Sequence, residues 1–399
     1  MPARAPAAER APRRGYLDWL RGLAVLIMIA THILDSWTRL DQRQTTIYGW
    51  SMILGGYGAP LFLFLAGVAV SLSAGSKARG SGDAGAASRA VVGRGLQIFG
   101  LAFLFRLQAM VVSWGSWRSL LKVDILNIMG PSIMMAGWLW GALQTNRRRI
   151  IGLFAVTLAF ALLTPPVRST GLLAPLPDPI EAYLRPRPGY TNFVALPWAG
   201  FLFAGALIGV LVDGTRTRTS EQRLNVLLGI GGAALALGAY AASFLPSPFE
   251  RSDFWTSSPA FFLLRTGVLT AAVAAAYLWH QRPGGDRKFS PLQQMGRTSL
   301  FIYWIHVELI YGLAVRPLHK SMTLGQAWLG VLVFAILMLI LSLLKDRIVN
   351  AWRTGRLPVL DRLPASGFGP ASGFRLSAPE FQKQTGSREP EAGSREPEA

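Results

Sequence analysis

The sequence predicts an all-α, polytopic membrane protein of roughly ten transmembrane helices with both termini cytoplasmic. Three features lead there. Hydrophobic residues make up 51% of the 399 positions and charged ones only 15%, too little polar surface for a chain of this size to be wetted as a soluble globule. Apolar runs long enough to cross a hydrocarbon core of about 30 Å recur along it. The Lys and Arg behind the formal net charge of +19 gather in alternate connections between those runs.

The runs fall at roughly 16–38, 50–75, 90–112, 124–144, 148–165, 193–212, 223–246, 258–280, 296–316 and 326–345. An even number returns both ends to one side. Connections sharing that side are basic: Arg4, Arg10, Arg13 and Arg14, then Lys77, Arg79 and Arg89, then Arg147 to Arg149, then Arg216, Arg218 and Arg223, then Arg282, Arg287, Lys288 and Arg297, and finally Lys345, Arg347, Arg353 and Arg356. The opposite connections carry fewer, so the positive-inside rule puts the basic side in the cytoplasm. The segment Met1 to Arg14 is rich in Ala, Pro and Arg, and no small-residue cleavage site follows it, so the first run reads as an uncleaved span.

Three regions follow: a basic tail at 1–15, a membrane domain at 16–345, and a cytoplasmic tail at 346–399. The last is Pro/Gly/Ser-rich from about Leu357 and ends in a doubled unit, Gly386 to Ala392 and Gly393 to Ala399, a composition that cannot bury a core. The connection from Pro165 to Asn192, with many prolines, is long enough for an external cap or substrate loop.

Composition also excludes chemistry. There is no cysteine, hence no disulfide, thiol nucleophile or thiolate metal site, and only His32, His280, His306 and His319 offer an imidazole. No zinc-spaced His/Glu set, Walker loop, dinucleotide fingerprint or serine nucleophile elbow occurs, so no metal ligands are assigned and ATP-driven transport is disfavoured. The positive charge is not a stripe interleaved with aromatics, which argues against nucleic acid as a partner.

Ionisable residues inside a span are costly and face a protein interior or a wet cavity. On a helix of 3.6 residues per turn, Asp18, Arg21, Met28, His32 and Asp35 form one stripe. Asp18 and Arg21 can pair at the cytoplasmic end, and His32 lies about 21 Å further along the axis from Asp18. Asp35, one turn beyond His32, is spaced to hold the ring's tautomer, which makes His32 a candidate general base. In the ninth run Tyr303 and His306 are one turn apart and can present a hydroxyl and an imidazole to the same cavity. Arg94, in the third run, can receive a phosphate, and Asp124 and Asn127 open the fourth run one turn apart.

Leu17-Asp18-Trp19-Leu20-Arg21-Gly22-Leu23-Ala24, leading to His32, resembles the first span of the transmembrane acyltransferase superfamily that includes the acyltransferase-3 type. With Met28, Asp35 and the block Gly58-Ala59-Pro60-Leu61-Phe62-Leu63-Phe64-Leu65-Ala66-Gly67, the chain is similar to the bacterial branch grouped with the heparan-alpha-glucosaminide N-acetyltransferase catalytic domain. Arg94-Gly95, Asp124 to Gly130, Pro197-Trp198 with Gly205, and Ser299 to Tyr303 with His306 extend the resemblance to about residue 316.

The resemblance implies a multi-pass enzyme of a bacterial inner (plasma) membrane, surrounded by lipid. It would pass an acyl group, typically acetyl, from cytosolic acyl-coenzyme A to a hydroxyl or amine of a glycan or lipid acceptor. His32, Asp35, Tyr303 and His306 are the expected catalytic set, with His32 as general base or transient acyl carrier. Asp18, Arg21, Arg94, Asp124 and Asn127 are the expected donor-binding set. No tightly bound cofactor is expected, acyl-coenzyme A being a co-substrate, and a homodimer is left open. The alternative is a proton-coupled secondary transporter with Asp18, His32 and Asp35 as relay, although no paired halves with matching broken helices are visible. A non-catalytic membrane scaffold is the third reading.

Overall fold

The computed structural model describes residues 14–282 and 289–354. The expected tails up to residue 13 and from 355 onward, with Arg287 and Lys288, lie outside the described residues. Contacts divide the chain into two units, 1–347 and 348–399; of the second, the described part is the end of one helix.

Thirteen α-helices are described, in order α1 (Gly15–Trp37), α2 (Thr46–Gly55), α3 (Gly58–Ser81), α4 (Ala84–Val112), α5 (Ile125–Ala142), α6 (Asn146–Ser169), α7 (Asp178–Glu181), α8 (Ala195–Gly214), α9 (Arg218–Ala242), α10 (Pro259–His280), α11 (Pro291–Arg297), α12 (Ser299–Tyr311) and α13 (Leu324–Arg353). No strand occurs among the described residues. Only isolated bridges join Thr38 to Met322 and Val123 to Thr191.

Eight helical stretches among the described residues are long and apolar enough to cross a bilayer, with α2 and α3 forming one of them. The fourth and ninth predicted runs are built differently. Helix α5 has 18 residues with Pro131 inside it, and the ninth run is broken at Thr298 into α11 and α12. Helix α12, with 13 residues, rises only about 20 Å, short of the hydrocarbon core. The second run is likewise broken, at Gly55-Gly56-Tyr57. Such interruptions at membrane depth are tolerated where they are enclosed by protein.

Local chemistry sets many of the helix starts. Asp83 caps α4 through the Gly85 amide at 2.7 Å, and hydrogen bonds from the Ala86 and Gly85 amides hold its carboxyl below the usual value. Thr145 caps α6, and Thr217 with Ser220 forms a capping box on α9. Helix α6 runs through Pro165 and Pro166 to Ser169, shortening the predicted connection. The remainder of that connection is tied to the start of α5 by Val123 N–H donating to Tyr190 O (2.7 Å) and Asn192 N–H to Val123 O (2.9 Å). The buried carboxylate of Glu181 pairs with Arg185 and Arg187.

Helix pairs close through glycine. A Cβ on Gly22 would strike the Leu292 carbonyl and one on Gly296 the Asp18 carbonyl, so α1 and α11 meet backbone to backbone. Gly67 and Gly205 do the same for α3 and α8, and Gly232 and Gly267 for α9 and α10. Lipid tails are as apolar as leucine, so close approach of backbones replaces the hydrophobic effect as the source of packing energy between spans.

Helix α1 is buried on two sides. Leu20, Ala24 and Met28 join a cluster with Leu63, Phe64, Leu126, Leu202 and Phe203. Val25, Ile29 and Ile33 join a second with Ile302, Ile310, Ala327, Val331 and Met338. Leucines on the outward faces of α9 and α13, such as Leu227, Leu237 and Leu329, are exposed, as a lipid-facing surface requires. The helix carrying the ionisable stripe is therefore central, between the two apolar clusters.

Candidate active site

The alternation of spans brings Arg14, Lys77, Arg79, Arg89, Arg147 to Arg149, Arg216 and Arg218 to one end of the bundle, the basic end. At that end a cavity of about 720 Å³ opens between α1, α3, α4, α5 and α12. Its cations are Arg21, Lys77 and Arg94; deeper in, the lining becomes apolar and includes Val70, Ile98, Met129 and Phe62. Arg94 is exposed and bonds Gln97 at 3.2 Å.

Beyond the apolar end runs a chain of rings. Phe62 stacks on Tyr303 with centroids 6.2 Å apart, Tyr303 meets His306 edge-on at 5.6 Å, and His306 stacks on His32 at 5.1 Å, tilted by 10°. His32 Nδ1 lies 3.0 Å from His306 Nε2. His306 is fully buried, and its Nδ1 sits 2.9 Å from Ile302 O and 2.8 Å from Tyr303 O.

Those two carbonyls assign the tautomers. They accept only, so His306 Nδ1 carries a hydrogen and donates, which leaves Nε2 with a lone pair. His32 Nδ1 then donates to that lone pair, and His32 Nε2 is left bare. The pair thus presents one unprotonated imidazole nitrogen, with the ring held by a partner that is itself fixed by backbone.

His306, and not Asp35, is accordingly what hydrogen-bonds the His32 ring. Asp35 faces the other way: its carboxylate accepts from Tyr311 Oη at 3.2 Å and pairs with Arg43 Nη1 at 3.6 Å, while its backbone carbonyl also accepts from Arg43. The spacing argument placed Asp35 on the same stripe as His32 but could not tell which of two neighbours, one on α12 and one on its own helix, would reach the ring. Tyr311 links the two indirectly, its ring edge 5.6 Å from the His32 ring.

The donor-binding set expected from sequence divides. Arg21 and Arg94 line the cavity; Asp18 is buried behind Arg21, bonded to it at 3.3 Å and paired with Arg297 at 3.8 Å. Asp124 and Asn127 are at the far end of the bundle, where they form the capping box of α5. Helix α4 explains the separation: Arg94 and Arg106 are twelve residues apart, about 18 Å along the axis, and it is Arg106 that pairs with Asp124, at 2.7 Å. Asn127 accepts the Asp124 amide at 3.0 Å, with its own amide 3.4 Å from Tyr183 Oη. Beside this pair, loss of hydration and then the Arg106 charge lower the pKa of Lys122. Asp124 also neighbours the Tyr303 hydroxyl, which ties the far end to the ring chain.

Sequence reasoning missed Lys77, Phe62, Arg106 and Tyr311. Arg106 and Asp124 carried a signal, since each is an ionisable residue within an apolar run and the two runs are consecutive. Tyr311 lies five residues after His306, off the stripe that Tyr303 and His306 share, so helical periodicity gave no signal for it.

No group of three or more His, Cys, Asp or Glu residues that could hold a metal ion occurs among the described residues. No curated protein matches the chain. The family model described as "Heparan-alpha-glucosaminide N-acetyltransferase, catalytic" matches residues 13–238, more than half of the 399. The match covers α1 to α8 and most of α9, and with them His32, Arg21, Lys77 and Arg94, on a bundle whose apolar spans make it an integral, multi-pass membrane protein. That description is of a transferase, and the chain belongs to the heparan-alpha-glucosaminide N-acetyltransferase catalytic family.

Proposed function

We propose that the protein transfers an acetyl group from acetyl-coenzyme A to an amine or hydroxyl of a glycan or lipid acceptor, with His32 as general base. The observation behind this is the cavity whose mouth is cationic and whose apolar end abuts the rings leading to a bare imidazole nitrogen. The basic end faces the cytosol of a bacterial plasma membrane in this reading, and residues outside 16–345 are cytoplasmic appendages. Whether the protein acts as one copy or as a dimer does not alter the chemistry.

The donor's phosphates lie against Arg94, Lys77 and Arg21, where charge-assisted hydrogen bonds favour them, and its pantetheine arm follows the apolar lining. Phe62 closes the inner end and the Tyr303 ring lies behind it, so both rings move aside in this reading for the thioester to reach the His32–His306 pair. His32 Nε2 takes a proton from the acceptor as the acceptor's nitrogen or oxygen attacks the thioester carbonyl. The tetrahedral intermediate expels the thiolate, which recovers a proton from the imidazolium. During this exchange His306 Nε2 accepts from His32 Nδ1–H and steadies the charged ring. The Tyr303 hydroxyl is the candidate donor to the developing oxyanion. The larger contribution is proximity: donor and acceptor meet in a site from which bulk water is excluded.

The test is transfer of labelled acetyl from acetyl-coenzyme A to membrane extract by purified protein. His32→Ala is expected to lower turnover by roughly 10²–10⁴-fold at unchanged expression and folding. Wild-type turnover in that variant removes His32 from the mechanism. An acylated protein trapped in single turnover would replace the general-base role by an acyl-imidazole.

A further inference from the structure

At the end of the bundle opposite the cationic cavity lies a second, separate cavity of about 240 Å³. It is walled by aromatics, Trp198 and Phe201 from α8, Trp255 from the connection between α9 and α10, and Phe261 and Phe262 from α10. Thr191 and Asn192 reach it from the long connection before α8, and Thr256 and Ser258 from the segment before α10. Two arginines also line it, Arg168 at the end of α6 and Arg265 within α10.

Neither arginine forms a salt bridge among the described residues, although the Asp253 carboxylate is near enough for its charge to act on Arg168. Arg265 lies six residues inside α10, about 9 Å along the axis from its first residue, at hydrocarbon depth. Its guanidinium stands over the Phe261 ring at 4.0 Å and the Tyr57 ring at 5.8 Å, and its Nε is buried without an acceptor. Arg168 makes one long bond, to Leu196 O at 3.5 Å, and its Nε too is buried and unsatisfied. One carboxylate oxygen of Asp253, close by in sequence to Trp255, accepts from the amide and hydroxyl of Thr256, at 2.9 and 2.8 Å, so Asp253 offsets Arg168 only through space and makes no direct bond to it.

A guanidinium cannot shed its charge, and one held inside a span without a counter-ion is expensive. Two of them with unsatisfied Nε donors, and only the Asp253 carboxylate near one, leave a small aromatic-walled cavity with an excess of positive charge that a bound anion can balance. The volume accommodates a single ring or headgroup. The flat aromatic walls suit a ring face, and the hydroxyl and amide groups suit polar substituents.

We propose that this cavity binds a small ring-bearing anion through Arg168 and Arg265, its charged group being a phosphate or carboxylate. The site is independent of the acyl-transfer reading, since no residue is shared with the cationic cavity or with the His32–His306 pair.

Phenyl phosphate is the probe, with benzyl alcohol as its neutral counterpart, titrated by calorimetry into the full chain in detergent. Saturable, salt-sensitive binding of phenyl phosphate and none of benzyl alcohol is expected. Arg265→Gln and Arg168→Gln are each expected to raise the dissociation constant at least about tenfold. Arg94→Gln, at the other cavity, leaves it unchanged. If Arg265→Gln does not fold, Arg168→Gln decides. Competition by short-chain phosphatidylinositol but not phosphatidylcholine identifies a ring-bearing lipid headgroup as the natural source; binding without competition identifies a soluble anion. Equal binding of the neutral probe, or the wild-type constant in both Gln variants, overturns the proposal, as does absence of saturable binding by the wild type.

Discussion

In the proposed mechanism His306 does for His32 what a carboxylate does in many general bases, but without charge. An imidazole acceptor orients the ring and fixes its tautomer, and it stabilises the imidazolium less than an anion would. His306→Phe keeps a ring in the stack and deletes the acceptor. The expected outcome is a fall in kcat of about tenfold to a hundredfold with the donor KM unchanged, since the lost interaction matters most once charge develops on His32. A change confined to KM would assign His306 to binding instead. Arg94, exposed at the cavity mouth, is the converse case. Arg94→Gln is expected to raise the acetyl-coenzyme A KM several-fold with little effect on kcat, measured by initial rates over a range of donor concentration. An unchanged KM returns Arg94 to a headgroup anchor.

At the scale of elements, the tight pairs are those where glycine admits the partner's backbone. Gly205 of α8 packs on the Phe64 carbonyl of α3, and any side chain there must push the two spans apart. Gly205→Leu is therefore expected to destabilise the protein by more than the roughly 1–3 kcal/mol usual for overpacking, because backbone and not a flexible side chain has to yield. Gly238 of α9 faces open space, so Gly238→Ala is expected to be neutral or slightly stabilising through helix propensity. Thermal unfolding in detergent separates the two; equal effects would mean that the α3–α8 contact is not what holds these spans. The broken elements belong to the same logic. Helix α12 is short, starts at the cavity and ends beside Asp35, and so carries Ser299, Tyr303, His306 and Tyr311 across the depth between the two ends.

For the whole molecule, the consequential property is its polarity. One end gathers the basic connections and the larger cavity, while the other holds the Glu181–Arg185–Arg187 cluster, the Arg106–Asp124 pair and the smaller cavity. The chain has no cysteine, which makes a single introduced thiol an unambiguous reporter. Ser81→Cys, exposed at the last residue of α3, and Ser247→Cys, exposed after α9, lie at opposite ends. A membrane-impermeant maleimide added to intact cells is expected to label Ser247→Cys and spare Ser81→Cys. The reverse pattern would invert the orientation and put the cationic cavity out of reach of cytosolic donor.

The membrane class, the approximate positions of the spans and the ionisable stripe of α1 were legible in the sequence, because hydrocarbon imposes a length and a composition that local residues alone must satisfy. Boundaries shifted where a break was hidden in an apolar run, as at Gly55-Gly56-Tyr57 and Thr298; apolar composition does not register a change of direction. His32 and His306 were each visible on a polar stripe, yet their 3.0 Å meeting was not, nor the turning of Asp35 toward Arg43 and Tyr311. The distribution of Arg94 and Asp124 to opposite ends followed from the antiparallel course of α4 and α5.

What the sequence by itself determined, then, is which residues are paid the cost of a place in the membrane and which helix face each occupies, since both depend on chemistry within a few turns of one helix. Only the tertiary structure decided which faces meet, because residues 274 positions apart, such as His32 and His306, are brought together by packing between helices, to which no local periodicity has access.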